Sequence, residues 1–199
     1  VIVNNTAGFT IKRPITIYGE LRPTKGNITV NETVTLKSSA TQTAQVSALG
    51  SGVSIFYGVS GRFSVENYIA ASGNEAWRFI SAPIQTGAQT IRQAWMENQT
   101  AGSYTATGYG MQIVGPTSAG TGFDQNTRFP SIKTYDYLTN NWLSTAGTNV
   151  EVSNLAGYMV FVRGDRGSNT LGSTSNTTLR VAGKIKTGNV TVNGNGVAN

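Results

Sequence analysis

Two apolar stretches predict the fold of this chain: Trp77-Arg78-Phe79-Ile80-Ser81-Ala82-Pro83-Ile84 and Gly157-Tyr158-Met159-Val160-Phe161-Val162-Arg163-Gly164-Asp165-Arg166. Both are short, rich in aromatic and β-branched residues, and bounded by proline, glycine or charged residues, as β-strands are. Pro83 marks a strand end or a sheet edge, because proline cannot donate a hydrogen bond into a ladder. We therefore expect a β-strand in each stretch.

The composition also favours β-structure. The chain has 199 residues, 24 of them glycine, and only 12% are charged. This balance is typical of turns and strands rather than of long helices. The length suits one large β domain, or one domain with a small appendage. We predict an all-β protein with a β-sandwich or jelly-roll-like domain.

The sequence contains neither cysteine nor histidine. Thiol chemistry and disulfides are therefore excluded, and the commonest general base near neutral pH and the commonest zinc ligand are missing. The carboxylates between Glu66 and Glu151 show no spacing that selects a catalytic pair. We predict that the protein is not an enzyme and has no catalytic residue, metal site or cofactor.

The net charge of +6 is concentrated at the two ends of the chain. Residues 1–37 carry five Lys or Arg and two Glu, and residues 163–199 carry five Lys or Arg and one Asp. Such ends favour contact with a neighbouring copy or an anionic polysaccharide, although they serve equally well as solvated surface. No dense basic block indicates nucleic acid, and no apolar run approaches the ~20 residues that span a bilayer. We predict no nucleic-acid binding and no membrane insertion.

The chain divides into three predicted parts. Residues 1–37 form a strand-rich extension, residues 38–52 are small and polar and form a connection, and residues 53–199 form the β-sandwich domain. The short repeated strands of the extension are similar to the rungs of a β-solenoid. Because few units are present, an ordinary meander is the favoured interpretation.

One helix and several further strands are predicted within the domain. Residues 89–98 are the one plausible helix, since Ile91 and Trp95 lie four residues apart on one face. Strands are expected at residues 61–69, 109–114, 131–136, 141–143, 179–181, 184–186 and 190–192. Of these, 131–136 and 141–143 form a hairpin with its turn near residues 138–140.

Two short motifs have simple structural explanations. Arg163-Gly164-Asp165 spells a tripeptide that integrins recognise, yet it follows an apolar strand, and we expect an ion-paired turn there. Asp124-Gln125-Asn126 offers oxygen atoms to calcium without the denser spacing of a calcium loop, so a polar turn is the better interpretation.

Six stretches, in the same order, resemble a module found in secreted surface proteins of Bacteroidota. They are residues 34–40, 65–69, 77–84, 132–136 with Trp142, 157–166 and 179–188. Proteins of this family are usually long and modular, are exported by the type IX secretion system, and form adhesins or fibres. The resemblance implies an outer-surface, extracellular location and β architecture, and it brings no catalytic residue.

We predict a structural protein, a subunit of a surface fibre or array that assembles through β-strand addition between copies. An unpaired strand offers backbone donors and acceptors that a neighbouring chain completes. Head-to-tail use of such strands gives an open homopolymer. The predicted self-association residues lie in the strand-forming ends of the chain: Val1, Ile2, Val3, Phe9, Ile11, Ile15, Ile17, Val190 and Val192.

The alternative is a carbohydrate-binding or adhesion module of a larger surface protein. Tyr104 and Tyr109 flank glycine-rich loops and are the predicted glycan contacts, because their hydroxyl groups tolerate water. The other prominent aromatic residues are expected in the core, since such side chains dominate core burial. They are Trp77, Phe79, Trp95, Trp142, Tyr158 and Phe161.

Overall fold

The computed structural model describes residues 1–71, 76–85, 87–116, 120–152, 156–167 and 175–188. Within these ranges the chain forms fourteen strands and one short helix, so the predicted all-β class is confirmed. The elements are β1 (Ile2–Asn4), β2 (Phe9–Ile11), β3 (Ile15–Ile17), β4 (Glu20–Lys25), β5 (Ile28–Val30), β6 (Thr33–Leu36), β7 (Gln45–Val46), β8 (Ile55–Tyr57), β9 (Arg62–Ile69), β10 (Ala76–Ile80), α1 (Ile91–Trp95), β11 (Ile132–Asp136), β12 (Asn141–Ser144), β13 (Tyr158–Val162) and β14 (Thr177–Gly183).

The first nine strands form three parallel ladders. One ladder has the order β1-β4-β7, the second β2-β5-β8, and the third contains β3-β6-β9. The chain thus passes three times through the same three strand positions, and we call these the first, second and third pass. Strands adjacent in sequence do not pair within residues 1–69, so the favoured meander is wrong. The solenoid interpretation stays a prediction.

Glycines at the bends explain why these strands stack instead of forming hairpins. A Cβ atom on Gly26 would lie 1.8 Å from the carbonyl oxygen of Asn5, and one on Gly61 would lie 1.8 Å from that of Val30. Each glycine therefore lets the backbone of one pass approach the backbone of the previous pass. The turn signals in this region mark contacts between passes as well as changes of direction.

Apolar side chains stack in register inside the three passes. Ile15, Val34 and Phe63 occupy equivalent positions in the third ladder, and Val34 and Phe63 are fully buried. The β-branched residues suit this pleated, buried surface. A first hydrophobic core results, built from all three passes.

The parallel ladders continue beyond residue 37. β7 lies within the predicted connection 38–52 and pairs with β4, while β8 and β9 pair with β5 and β6. The division into 1–37, 38–52 and 53–199 stays a prediction about domains. The hydrogen bonding between passes does not stop at those boundaries.

The remaining strands surround a second core. β10, β13, β11 and β12 form an antiparallel sheet in that order, and β14 pairs antiparallel with β9. The predicted hairpin of residues 131–136 and 141–143 is confirmed as β11 and β12. Buried residues of both sheets share the second core, including Ile80, Val160, Leu179 and Val181.

The predicted helix is confirmed in a shorter form, α1. Thr90 caps it, because its side chain accepts a hydrogen bond from the Gln93 N–H while the Gln93 side chain accepts one from the Thr90 N–H. Ile91 and Trp95 are both buried in the second core, as their spacing predicted.

The strand predicted at residues 109–114 is wrong. Residues 110–115 are buried without alternation, and the hydrogen bonds of this segment go to unrelated partners rather than to one strand. The N–H groups of Met111, Ile113 and Val114 donate to the Trp95 carbonyl, the Asp124 carboxylate and the Ser131 hydroxyl, respectively. Continuous burial, not ladder formation, explains the apolar run.

A buried ion pair fixes the loops around this segment. The Arg166 side chain is fully buried and donates to both carboxylate oxygens of Asp124, at 2.5 and 2.9 Å. It also donates to the carbonyl oxygens of Met111 and Ser103, at 3.0 and 2.7 Å. Asp124 further accepts the N–H groups of Gly102 and Ile113. The Arg166 guanidinium therefore connects its own segment with the segments that contain Ser103, Met111 and Asp124.

We expect Asp124→Asn to lower the free energy of unfolding by about 3–5 kcal/mol, because it leaves the buried Arg166 charge without its anion. Glu20→Gln is the control, since it breaks the exposed Arg22–Glu20 pair and should cost less than about 1 kcal/mol. Urea denaturation measures both. Equal losses in the two variants would contradict the structural role of the buried pair.

Candidate functional site

The first pass is an open edge of all three ladders. Among the described residues, β1, β2 and β3 each end the order of strands in their sheet and pair on one side only, with β4, β5 and β6. Seven of the nine predicted self-association residues belong to this pass: Val1, Ile2, Val3, Phe9, Ile11, Ile15 and Ile17. The other two, Val190 and Val192, lie outside the described residues.

The side chains of the first pass divide between the core and the surface. Val3, Ile11 and Ile17 are buried in the first core. Ile2 and Phe9 are exposed, at 68% and 47%. The buried set fixes the register of the pass, and the exposed set leaves apolar surface beside its free edge.

The backbone groups that face away from the second pass can be identified from the ladder hydrogen bonds. Phe9 donates its N–H to the Asn27 carbonyl at 2.9 Å, and the Ile11 carbonyl accepts from the Asn31 N–H at 3.0 Å. Successive residues of a strand direct their backbone groups to opposite sides, so those of Thr10 point outward. The Ile17 carbonyl bonds to the Lys37 N–H, and Thr16 therefore faces outward in β3 by the same argument.

In the third ladder, the third pass is covered at β9, whereas the first pass ends that ladder at β3. β14 pairs with β9 along seven residues, from Thr177 opposite Ile69 to Gly183 opposite Phe63. Beyond β14, the Ile185 N–H donates to the Tyr57 hydroxyl at 3.1 Å, and the Lys184 ammonium lies 5.7 Å from the centre of the Tyr57 ring. These contacts cover β9 and part of β8, so the two ends of the ladders differ.

Tyr104 and Tyr109, the predicted glycan contacts, are half-buried and lie against arginines. The Arg166 guanidinium is 5.4 Å from the centre of the Tyr104 ring, and that of Arg180 is 4.2 Å from the centre of the Tyr109 ring. The Lys37 ammonium approaches the Tyr109 hydroxyl at 3.4 Å. Both rings thus have protein partners, and their role in glycan binding stays a prediction.

The two short motifs take part in internal hydrogen bonding. Asp165 accepts the N–H groups of Gly108 and Gly167 and the Ser175 hydroxyl. Its carboxylate is therefore engaged within the fold, which disfavours an integrin ligand. Asp124 holds Arg166 instead of the calcium ion that its segment suggested, so the expected simple polar turn is in fact a buried ion-pair site.

Five aromatic rings lie together on the outward side of the sheet β10-β13-β11-β12. Trp77 is 39% exposed and Phe79 is 74% exposed, so the prediction that both are buried is wrong. Trp142 and Phe161 are half-exposed, whereas Tyr158 and Trp95 are buried as predicted. We call this surface the aromatic face: Trp77, Phe79, Tyr135, Trp142 and Phe161.

The pairing of the strands explains why these rings meet. Trp77 lies directly opposite Phe161, and Tyr135 lies opposite Trp142, and directly paired residues share one side of a sheet. The ring centres are 5.2 Å apart for Trp77 and Phe161, 5.6 Å for Phe79 and Trp142, and 5.3 Å for Tyr135 and Trp142. The rings therefore form two contacting groups, Trp77 with Phe161 and Phe79 with Trp142 and Tyr135. The two groups lie side by side because Trp77 and Phe79 are two residues apart on one side of β10.

Two cations lie on the aromatic face. The Lys133 ammonium is 5.4 Å from the centre of the Trp77 ring, and the Arg163 guanidinium is 4.6 Å from that of Phe161. Contacts of this kind stabilise a cation over the negative face of an aromatic ring. The face therefore combines apolar and positively charged surface.

The alternation of residues in β10 indicated an aromatic face, although Trp77 and Phe79 were predicted to lie in the core. In β10, Trp77 and Phe79 alternate with Arg78 and Ile80, so the two rings had to share one side of the strand. β13 has apolar residues on both of its sides. Its sequence therefore does not show which side belongs to the surface.

A polar cleft of about 680 Å³ lies beside α1 and β14. Glu97 is the only carboxylate among the described residues that line it, and it forms an ion pair with Arg180. The two carboxylates that most glycoside hydrolases use are thus not both present in this cleft.

The described residues contain no group of three or more His, Cys, Asp or Glu side chains that could hold a metal ion. No helix in the described ranges is long and apolar enough to cross a bilayer.

No protein-family model, curated protein or solved structure matches this chain. The first pass and the aromatic face are therefore the features from which a function can be inferred.

The burial of the Tyr57 hydroxyl predicts an alkaline destabilisation, because burial disfavours the phenolate. Burial raises the pKa of Tyr57 from 10.0 to about 12. Its contribution to stability is therefore complete below pH 10 and is lost as the pH rises toward 12. Over this interval we expect the wild type to lose about 1 kcal/mol more unfolding free energy than Tyr57→Phe, since solvent reduces the effect at a partly exposed ring.

Denaturation at several alkaline pH values measures this difference. Tyr18→Phe is the matched control, because Tyr18 is 59% exposed and its removal should leave the wild-type pH dependence unchanged. Parallel pH curves for wild type and Tyr57→Phe would refute the prediction.

Proposed function

We propose that the protein is a structural extracellular module, a subunit of a surface fibre or array that assembles through β-strand addition at the open first pass. The observation that carries this proposal is the common edge of β1, β2 and β3, which pair on one side only within the described ranges of the chain. Three edges in register offer more backbone hydrogen bonds to an added chain than one isolated strand would. The extracellular location is proposed from the resemblance to Bacteroidota surface modules.

The asymmetry of the ladders determines how copies would associate. β14 occupies the free edge of β9, so the third pass of one copy cannot receive the first pass of another along the third ladder. In that ladder the donor must therefore come from elsewhere in the chain. We propose residues 189–199, because Asn189-Val190-Thr191-Val192 alternates polar and apolar residues as a strand does. One acceptor and one donor per copy then produce an open homopolymer.

The test removes outward backbone donors without changing the ladders inside the protein. Thr10→Pro combined with Thr16→Pro deletes two N–H groups that face away from the second pass, and proline is tolerated at a strand edge of this kind. We expect concentration-dependent assembly of the wild type in sedimentation velocity and negative-stain microscopy, and a monomer for the double proline variant.

Thr10→Ala with Thr16→Ala is the matched control, because it shortens the same side chains and keeps both N–H groups. It should assemble like the wild type. Circular dichroism melting must show that the proline variant is folded. A wild type that stays monomeric, or a folded proline variant that assembles normally, would refute strand addition at this edge. Loss of assembly on deleting residues 189–199 would identify the donor, whereas retained assembly would refute its assignment.

A further inference from the structure

The aromatic face lies outside both hydrophobic cores and takes no part in the proposed assembly. Its rings lie on the side of the sheet opposite the second core, which contains Ile80, Tyr158 and Val160. Phe79 at 74% and Tyr135 at 48% expose large apolar surface that folding does not bury. A contiguous exposed apolar patch of this kind marks a binding surface more often than isolated exposed residues do.

The shape of the face suits an extended ligand. Its rings stand on neighbouring strands of one sheet, and none of them lines the polar cleft beside α1 and β14. A ligand would therefore lie across the sheet rather than enter a pocket. The planes of the contacting rings differ by 66°, 43° and 59°, which fits a twisted, soluble polymer better than the flat surface of a crystalline one.

The cations on the face indicate the charge of the ligand. An apolar or neutral partner that covered Lys133 would remove an unpaired ammonium group from water, which is costly. A second copy using the same face would bring the Lys133 and Arg163 side chains of both molecules into one interface, since two-fold contacts place like residues together. An anionic ligand pairs with the lysine while its uncharged parts contact the rings.

We propose that the aromatic face binds an acidic polysaccharide, whose sugar rings stack on Phe79 and Trp142 while Lys133, which lies over Trp77, pairs with a carboxylate or sulfate group. Sugar rings present apolar C–H surfaces beside polar edges, and the face likewise places cations beside its rings. This site is separate from Tyr104 and Tyr109, whose rings already lie against arginines. The inference does not depend on strand addition.

The test is affinity electrophoresis with polygalacturonate, hyaluronate and dextran sulfate, with methyl-esterified pectin as the neutral counterpart of polygalacturonate. Retardation by the first two indicates carboxylate recognition, and retardation by dextran sulfate indicates sulfate recognition. Phe79→Ala and Trp142→Ala should each weaken binding by about tenfold, the loss expected for removing one aromatic contact. Lys133→Gln should weaken binding to the acidic polymer and leave binding to methyl-esterified pectin unchanged, and added salt should weaken wild-type binding.

Phe129→Ala is the matched control, because Phe129 is also 74% exposed but lies outside the face, and it should bind like the wild type. Because Phe79 is largely exposed, its alanine variant should remain folded. Lys133→Gln tests the site without removing a ring. The proposal is overturned by a wild type that binds none of the acidic polymers, by ring variants that bind as tightly as wild type, or by equal affinity for acidic and esterified pectin. A wild-type dimer that Phe79→Ala converts to a monomer overturns it in favour of a contact between copies.

Discussion

Hydrogen bonding along both edges of β9 joins the two parts of this fold. One edge continues the third parallel ladder with β6, and the other pairs antiparallel with β14. The side chains of β9 make the same connection, because Phe63 belongs to the first core and Val65 packs against both cores. β9 therefore belongs to the parallel passes and, with β14, borders the second core, and neither core is complete without it.

The pairing of β9 with β14 also makes the two ends of the third ladder different. Because β14 occupies the outer edge of β9, the third ladder is free only at β3 among the described residues, whereas β7 and β8 still end their sheets. Edge strands are usually blocked by charges, bulges or covering elements. Here the covering element lies at one end of the ladders, while Ile2 and Phe9 leave apolar surface at the other. The difference between the ends is a consequence of the fold.

Local patterns predicted elements well and pairings poorly. The alternation of residues 61–69 and the hairpin of residues 131–143 gave the correct strands, because these signals are contained in a few adjacent residues. Parallel pairing was missed because Gly26 and Gly61 look the same in sequence whether they form a hairpin or permit two passes to approach. The aromatic face was not predicted, since Met159 and Phe161 make β13 apolar on both sides.

The open first pass and the aromatic face would recognise partners through different physical chemistry. The edge uses backbone N–H and C=O groups that every residue except proline supplies, so its geometry matters more than its side chains. The face uses particular rings and the Lys133 charge, so single substitutions change what it can bind. Because no residue of the aromatic face belongs to the first pass, a change in the ligand need not change the assembly. A repeated surface module with both properties could keep one mode of association while its binding face diverges.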